Sequence, residues 1–444
     1  MQAIVVVHGI LGSKLNLDSE EIWPPSLGEI INNHYRRIAK LMDRNAIATD
    51  IVYQYTSFYQ IYGPLIEDVD AIIAEQGGIR PNFWYDWRID LALSADHLAQ
   101  TIAAVCSGPN PATSVSIVAH SMGGLVSRLV LESGKYNSAS WFRNITRFIA
   151  ICVPHVGAPI AVARALGLEG STTITAGDMK TIMNNADFPA GFDLFPALAY
   201  RNSVLYDRQS GPQDIYAGPV ATKYGLSTNN QSAAQTSWSN LNFANRPKGV
   251  QYISIAGTGH PTENTYEFDN TVYRSTTSVD GDGTVPHWSA AFGNVDKLYT
   301  VPGDHIGIMN SNPFRQTLSD IFGSTTMMVV KPELAVKPGV SISLNKHSFQ
   351  AGESMNVLLI PDHKTTEING KLQIRKASVA ADQLSAQLTS VGVDTSVSYA
   401  GPPASSLPLT ISAPEADGAY VLSFEGTHRS STRTSATFFV RRNR

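Results

Sequence analysis

The chain has 444 residues, 43% of them hydrophobic and 16% charged, with a formal net charge of −4. This length predicts two domains, and the composition predicts large cores and excludes an extensively disordered chain. The charge balance leaves no basic footprint, so nucleic acid is not an expected partner.

Taken in order, the first part of the chain alternates short apolar runs with helix-like stretches. Ala3–Val7, Val115–Ala119, Phe148–Val153 and Val250–Gly257 are runs of mainly Val, Ile and Ala with little polar alternation. Such runs suit strands buried on both faces of a parallel sheet. Ala95–Ala104 and Leu125–Ser133 read as helices between them, which makes an α/β layout. From about Gly157 to Gly249 the rhythm breaks into an Asn-, Ser-, Gly- and Pro-rich insertion. It is studded with Met179, Ile182, Met183, Phe188, Phe192, Leu194, Phe195 and Leu198. An insertion of this length is expected to form a cap or lid over a pocket; a packed subdomain is the plainer alternative. Beyond Phe322 the pattern becomes short alternating strands with Gly/Pro turns, which predicts a β-sandwich over 335–444 after a linker at Val330–Pro338. That segment resembles the immunoglobulin-like modules appended to many bacterial enzymes, and it carries no catalytic constellation. The catalytic part is expected over 1–325.

Cys106 and Cys152 are the two cysteines. They exclude a disulfide framework, show no zinc-ligand spacing and read as small core residues. No apolar run is long enough to span a bilayer, and no signal segment precedes the first strand. Cytoplasm is therefore the default expectation, with signal-independent export left open. The basic end, Arg441–Arg444, reads as a solvated tail.

The chemistry concentrates at strand ends. In "SIVAHSMGGLV" (Ser116–Val126), Ser121 follows an apolar run and precedes a helix. A serine hydroxyl needs a base within reach and donors for the oxyanion that forms. A sharp strand-to-helix elbow exposes it, provided that its neighbours are small. Ala119 and Gly123 meet that demand, although the usual first residue of the motif is glycine. Gly123 and Gly124 also let the helix pack close to the strand. Asp282 lies in "VDGDGTVP" and His305 in "YTVPGDHIG". Ser, Asp, His is the chain order of an α/β-hydrolase triad, in which the histidine takes the serine proton and the acid fixes its tautomer. Asp280 is the competing acid, while Asp304 reads as a turn residue. In "VVVHGILGSKL" the turn after the first strand offers backbone donors for an oxyanion hole. One is assigned to Met122 N–H and the other to Ile10 N–H, with Leu11 as its alternative. His8 reads as shaping the turn, and His120 as bracing the elbow.

The segments "HGILGSKL", "WPP", "FWYDWRID", "AHSMGGLVSR", "PHVGAPIAVARAL" and "GDGTVP" occur in this order before His305. Over roughly residues 1–310 the chain resembles the lecithin:cholesterol acyltransferase and lysosomal phospholipase family. That resemblance implies an α/β-hydrolase fold with Ser121, Asp282 and His305 as the triad and Ile10 and Met122 as the oxyanion positions. It also implies a lid after Leu15 and a lipid-facing cap after Pro159. Eukaryotic members carry disulfides near the lid; this chain has no cysteine before Cys106. Aromatic residues near the expected mouth (Trp23, Phe58, Tyr59, Phe83, Trp84) suit a long acyl chain, and Trp23 and Trp84 are the candidate substrate contacts. Each of these also fits an ordinary core.

The expected function is hydrolysis or transfer of a fatty acyl group from a lipid ester, through an acyl-enzyme and without a cofactor. Transient contact with a membrane surface would supply such a substrate. The competing readings are a serine esterase for a non-lipid ester, thioester or amide, and a binding protein in which the sandwich does the work. No protein partner of the sandwich is indicated.

Overall fold

A computed structural model describes residues 1–171, 173–325, 339–379, 386–392, 394–426 and 435–441. Five strands make the central sheet: β1 (Gln2–Val7), β2 (Ser114–His120), β3 (Ile145–Ile151), β4 (Gln251–Thr258) and β5 (Lys297–Pro302). They lie side by side in that order, and every neighbouring pair is parallel. Parallel neighbours need crossover connections, so helices cover the sheet and bury both of its faces. That is why β1, β2 and most of β3 are buried runs without polar alternation. All five strands point one way, and their C-terminal ends open along one edge.

Helix Leu91–Ser107 starts at Asp90, whose carboxylate accepts the Ala92 N–H at 2.7 Å. The expected Ala95–Ala104 helix lies inside it. The second expected helix begins earlier than Leu125, as α1 (Met122–Glu132), directly after Ser121. The sequence suggests one apolar face for it, yet every residue of α1 is buried. The helix is enclosed by the sheet, by Leu91–Ser107 and by the helix Thr228–Asn240. Its charged pair survives this because it is satisfied internally. Arg128 donates to both Glu132 oxygens at 2.9 and 2.8 Å and to the His155 carbonyl at 2.7 Å.

The long segment between β3 and β4 holds α2 (Pro159–Leu166), the helices Ala176–Met183, Gly218–Tyr224 and Thr228–Asn240, and short 3-10 turns. After β4 the chain makes a long hairpin, His260–Asp269 with Val272–Gly281, that leads into Asp282. This hairpin pairs with the strand Leu205–Asp207 of the preceding segment. Its second strand is almost wholly exposed and rich in Ser and Thr, so it carries no burial pattern that a sequence reading detects.

The C-terminal part is all β. Strands Val340–Leu344 (β6), Ser354–Pro361 and Leu407–Ser412 form one sheet. Strands Ser348–Gln350, Thr365–Val379, Ala386–Ser390, Thr395–Ala404, Gly418–Gly426 and Ser435–Arg441 form the other. Leu344, Met355, Val357, Leu359, Leu372, Leu422 and Phe438 are among the core residues of this part. Ala377, Ala419 and Phe439 face the other way and are buried in the core of the α/β part. The expected linker Val330–Pro338 lies outside the described residues. Among the described residues, no helix is long and apolar enough to cross a membrane.

Asp193, in the turn Pro189–Leu194, is 1% exposed, and the Ser237 hydroxyl and Leu91 N–H near its carboxylate do not offset its burial. Burial pushes its carboxyl up to about 8. A folded-state value above the unfolded one contributes stability at low pH that is lost as pH rises from about 4 through about 8. Asp193→Asn removes that dependence. Its melting temperature is expected to match the wild type near pH 4 and to exceed it by about 5 °C at pH 8, as read by scanning calorimetry.

Candidate active site

Ser121 sits between β2 and α1 with φ 55° and ψ −130°, a conformation that L-residues rarely adopt. The elbow closes only because its surroundings give way. A Cβ on Gly123 would lie 2.3 Å from the His8 carbonyl oxygen and 2.5 Å from that of Val7, so no other residue lets α1 approach the end of β1. Ala119 is fully buried within β2, and its single methyl group is accommodated there.

The structure brings Ser121, His305 and Asp282 into one line of hydrogen bonds. Ser121 Oγ lies 2.9 Å from His305 Nε2, and His305 Nδ1 lies 2.8 Å from Asp282 Oδ2. His305 follows β5, and its own N–H donates to the Asp282 carbonyl at 2.9 Å. Asp282 is buried, and its other oxygen accepts the N–H groups of Thr284 and Val285 at 2.9 and 2.6 Å. Burial alone would raise its carboxyl. The neighbouring His305 and these N–H donors outweigh burial and hold it below the usual carboxylate range, so it stays ionised. Asp280, the competing acid, is turned elsewhere. It accepts from Gly259 N–H at 2.8 Å and from the Thr258 hydroxyl, and it does not bond to His305.

A second chain of hydrogen bonds braces this line, and its directions are forced by its ends. Gly9 N–H donates to the Tyr62 hydroxyl oxygen at 2.7 Å. His120 Nε2 faces the His305 carbonyl at 2.8 Å, which can only accept. His120 Nδ1 therefore accepts the Tyr62 O–H, at 2.8 Å. Burial, with His305 nearby, pushes His120 down to about 3, so it remains the neutral ring that this pattern requires. His8 is likewise lowered to about 4 by burial. It bonds the Gly9 carbonyl through Nδ1 at 2.8 Å, accepts Tyr85 N–H at 3.3 Å and stacks on the Tyr85 ring. Both histidines thus shape backbone.

The backbone N–H groups of Ile10, Leu11 and Met122 donate to no acceptor among the described residues. Ile10 and Leu11 line a cavity of about 320 Å³ together with Ser121, His120 and His305. α2 and the segment behind it supply Ile160, Ala161, Arg164 and Leu168 to its wall. A smaller, largely apolar pocket adjoins it, bounded by Ile10, Leu11, Met179, Ile182, Met183, Phe188 and Leu194. The apolar residues of the insertion are therefore partly pocket lining, while Phe192 and Phe195 stack on one another in the core. Arg164 borders both cavities, and its Nε is buried without a partner.

The two tryptophans expected to contact substrate line neither cavity. Trp23 is fully buried in an aromatic cluster with Tyr35, Tyr55 and Trp87, and its indole N–H holds the Leu11 carbonyl at 2.9 Å. It stiffens the turn from below. Trp84 is half-buried against the core. Their size favours core packing as readily as pocket lining, and only the direction of each side chain decides between the two. Tyr62 and Tyr85 are the site residues that sequence reasoning missed. No spacing rule links Tyr62 to His120 across 58 positions.

Cys152, Asp282 and His305 place donor atoms within 4.8 Å of one another. Burial and the Asp282 carboxylate push the Cys152 thiol well above its usual range, so it stays protonated, and the His305–Asp282 hydrogen bond occupies the other two donors. The trio is thus hydrogen-bonded as a cluster. Both cysteines are free thiols.

Residues 49–224 match the family model described as lecithin:cholesterol acyltransferase. The Saccharomyces cerevisiae protein YJR098C is 26% identical over 136 residues, which are 29% of this chain and 20% of that protein. The chain thus spans about a fifth of the length of that relative. Among solved structures, phospholipase PlaB from Legionella pneumophila is similar at a TM-score of 0.27 and 9% identity, over 99% of this chain and 89% of that one. Spo0M, a sporulation control protein from Bacillus subtilis, is similar at a TM-score of 0.17 and 15% identity, over 24% of this chain and 50% of that one. At such TM-scores neither likeness bears on fold or function. The match of residues 49–224 to the lecithin:cholesterol acyltransferase family model stands beside a parallel sheet whose strand ends gather Ser121, Asp282 and His305.

Proposed function

We propose that this protein is a serine acyl hydrolase or acyltransferase that cleaves a fatty acyl group from a lipid ester. The observation that carries this reading is the Ser121–His305–Asp282 line at the floor of a cavity, beside the undonated N–H groups of Ile10 and Met122. Ser121 Oγ attacks the ester carbonyl while His305 Nε2 takes its proton. The negative charge that develops on the carbonyl oxygen is met by the N–H groups of Met122 and Ile10. The dipole of α1, whose first residue is Met122, adds to that field. His305 then returns the proton to the departing alcohol, leaving an acyl-enzyme. Water or a second alcohol repeats the cycle in reverse, releasing a fatty acid or a new ester. Asp282, held ionised, stabilises the imidazolium in both halves.

The acyl chain is assigned to the apolar pocket lined by Met179, Met183, Phe188 and Leu194. Unbranched methionines change rotamer at little cost, so they can part for an alkyl chain. Lipid presented at a membrane surface or in vesicles would reach the cavity from solvent.

A fluorophosphonate probe is expected to label the wild type and not Ser121→Ala. Asp282→Asn, which leaves the wrong histidine tautomer, is expected to lose about 10⁴-fold in kcat with its fold intact. Mass spectrometry of phospholipid incubated with the protein, with and without an added alcohol, separates fatty acid release from transfer. Turnover of short soluble esters alone would overturn the lipid part of the reading. Met183→Trp, which fills the side pocket, is expected to raise KM for long-chain esters about 10-fold and to leave butyrate esters unaffected.

A further inference from the structure

The C-terminal sheets carry no catalytic motif, yet they meet the α/β part at the loop that bears His305. Asp304, next to it in sequence, is 3% exposed. One carboxylate oxygen accepts Gly307 N–H at 2.7 Å and faces His347 Nε2 at 3.0 Å. The other accepts the Ser343 hydroxyl at 2.7 Å. The same hydroxyl accepts Asp304 N–H at 2.7 Å and faces His260 Nε2, on the hairpin that leads to Asp282, at 2.6 Å. Ser343 belongs to β6, and His347 follows it. The far side of the His347 ring is held too, with Nδ1 2.7 Å from the Thr437 carbonyl.

Two consequences follow from chemistry. A ring with a carboxylate on one nitrogen and a carbonyl on the other must donate from both, so His347 is an imidazolium. Asp304 and His347 are then an ion pair with almost every lone pair and proton used, the condition under which a buried pair holds one geometry. The contact also reaches the acid. Asn345 packs its carbonyl oxygen where a Cβ on Gly283, the residue after Asp282, would come within 2.1 Å. The loops of both His305 and Asp282 therefore close against one short stretch, Ser343–His347. Asn345, Lys346 and His347 also stand in the wall of the cavity that holds Ser121.

We infer that the C-terminal sheets are a working part of the catalytic centre: the Asp304–His347 pair, closed by Ser343, fixes the loop that carries His305 and sets the angle at which its imidazole meets Ser121. His347 and Ser343 are positioning residues, since they act through the loop and touch no reacting atom. The inference rests on the reading of Ser121, His305 and Asp282 as the triad.

The test is the rate at which a fluorophosphonate labels Ser121 in the full chain, measured well below the melting temperature of each variant. His347→Ala is expected to slow labelling about 10- to 100-fold, and to lower kcat on a short soluble ester equally with KM nearly unchanged. His347→Gln, whose amide still donates to Asp304, is expected to recover most of that rate. Val397→Ala trims the core of the C-terminal sheets on the strand Thr395–Ala404, which pairs with Thr365–Val379 and not with β6, and it is expected to lower the melting temperature while labelling at the wild-type rate. Should His347→Ala not fold, Ser343→Ala carries the same expectation. Wild-type labelling in His347→Ala, or an equal loss in Val397→Ala, overturns the inference. A wild type that does not label overturns the triad reading and this inference with it.

Discussion

The backbone of Ser121 is the constraint around which the site is arranged. A residue at φ 55° between a strand and a helix is strained, and such strain persists only where packing over-determines it. Here three things do so. Ser121 N–H is tied to the Ile151 carbonyl at the end of β3, and its own carbonyl caps Gly124 N–H. The helix that follows is buried on all sides, so it cannot rotate to relieve the turn. Gly123 lets that helix rest on the carbonyls of Val7 and His8, which brings the turn after β1 beside the hydroxyl. Ile10 and Met122, whose N–H groups meet no acceptor among the described residues, stand just past the ends of β1 and β2.

Electrostatics then separates groups of the same kind. His8, His120 and His305 lie close together, but the first two are held neutral by burial and spend their ring nitrogens on backbone groups and, at His120 Nδ1, on the Tyr62 hydroxyl. Only His305 faces both a hydroxyl and a carboxylate. The carboxylates divide in the same way. Asp282 is buried, ionised and bonded to the His305 ring, whereas Asp280 only closes the turn after β4. Asp193, buried with Asp90 rather than a cation near its carboxylate, is pushed up instead. What decides each case is whether N–H donors and an opposite charge repay burial.

The parts of this arrangement that were legible in the sequence are those encoded locally. Buried parallel strands read as unbroken apolar runs because both faces are covered, and the elbow reads from its small residues. The order Ser121, Asp282, His305 is visible because strand ends converge in a parallel sheet whatever lies between them. The hairpin before Asp282 escaped notice because an exposed Ser/Thr strand has no buried face to leave a pattern. Sequence alone suggests the mouth for Trp23 as readily as the core, because the identity of an indole does not say which way it points. It lies under the Leu11 turn, where its N–H donates to the Leu11 carbonyl. Tyr62 was invisible because its role is to connect two residues that are distant from it in the chain.

The C-terminal sheets show the same limit on a larger scale. Read along the chain they form a separate module, with turns and alternation of their own and no residue of catalytic type in a catalytic pattern. In three dimensions Phe439 is buried in the core of the α/β part, and Tyr59 packs on both Phe439 and His347. The Thr437 hydroxyl donates to the Phe58 carbonyl, while its carbonyl holds His347. Gly283 bears on the same point. Its φ of 82° and its contact with the Asn345 backbone mean that a side chain there would both strain the turn and push the C-terminal sheets away. The glycine after Asp282 thus serves two packing demands at once, one inside the acid's own turn and one across the interface. A boundary drawn from composition passes between Asp304 and His347, two residues that the fold joins by an ion pair, the aspartate buried and the histidine partly exposed.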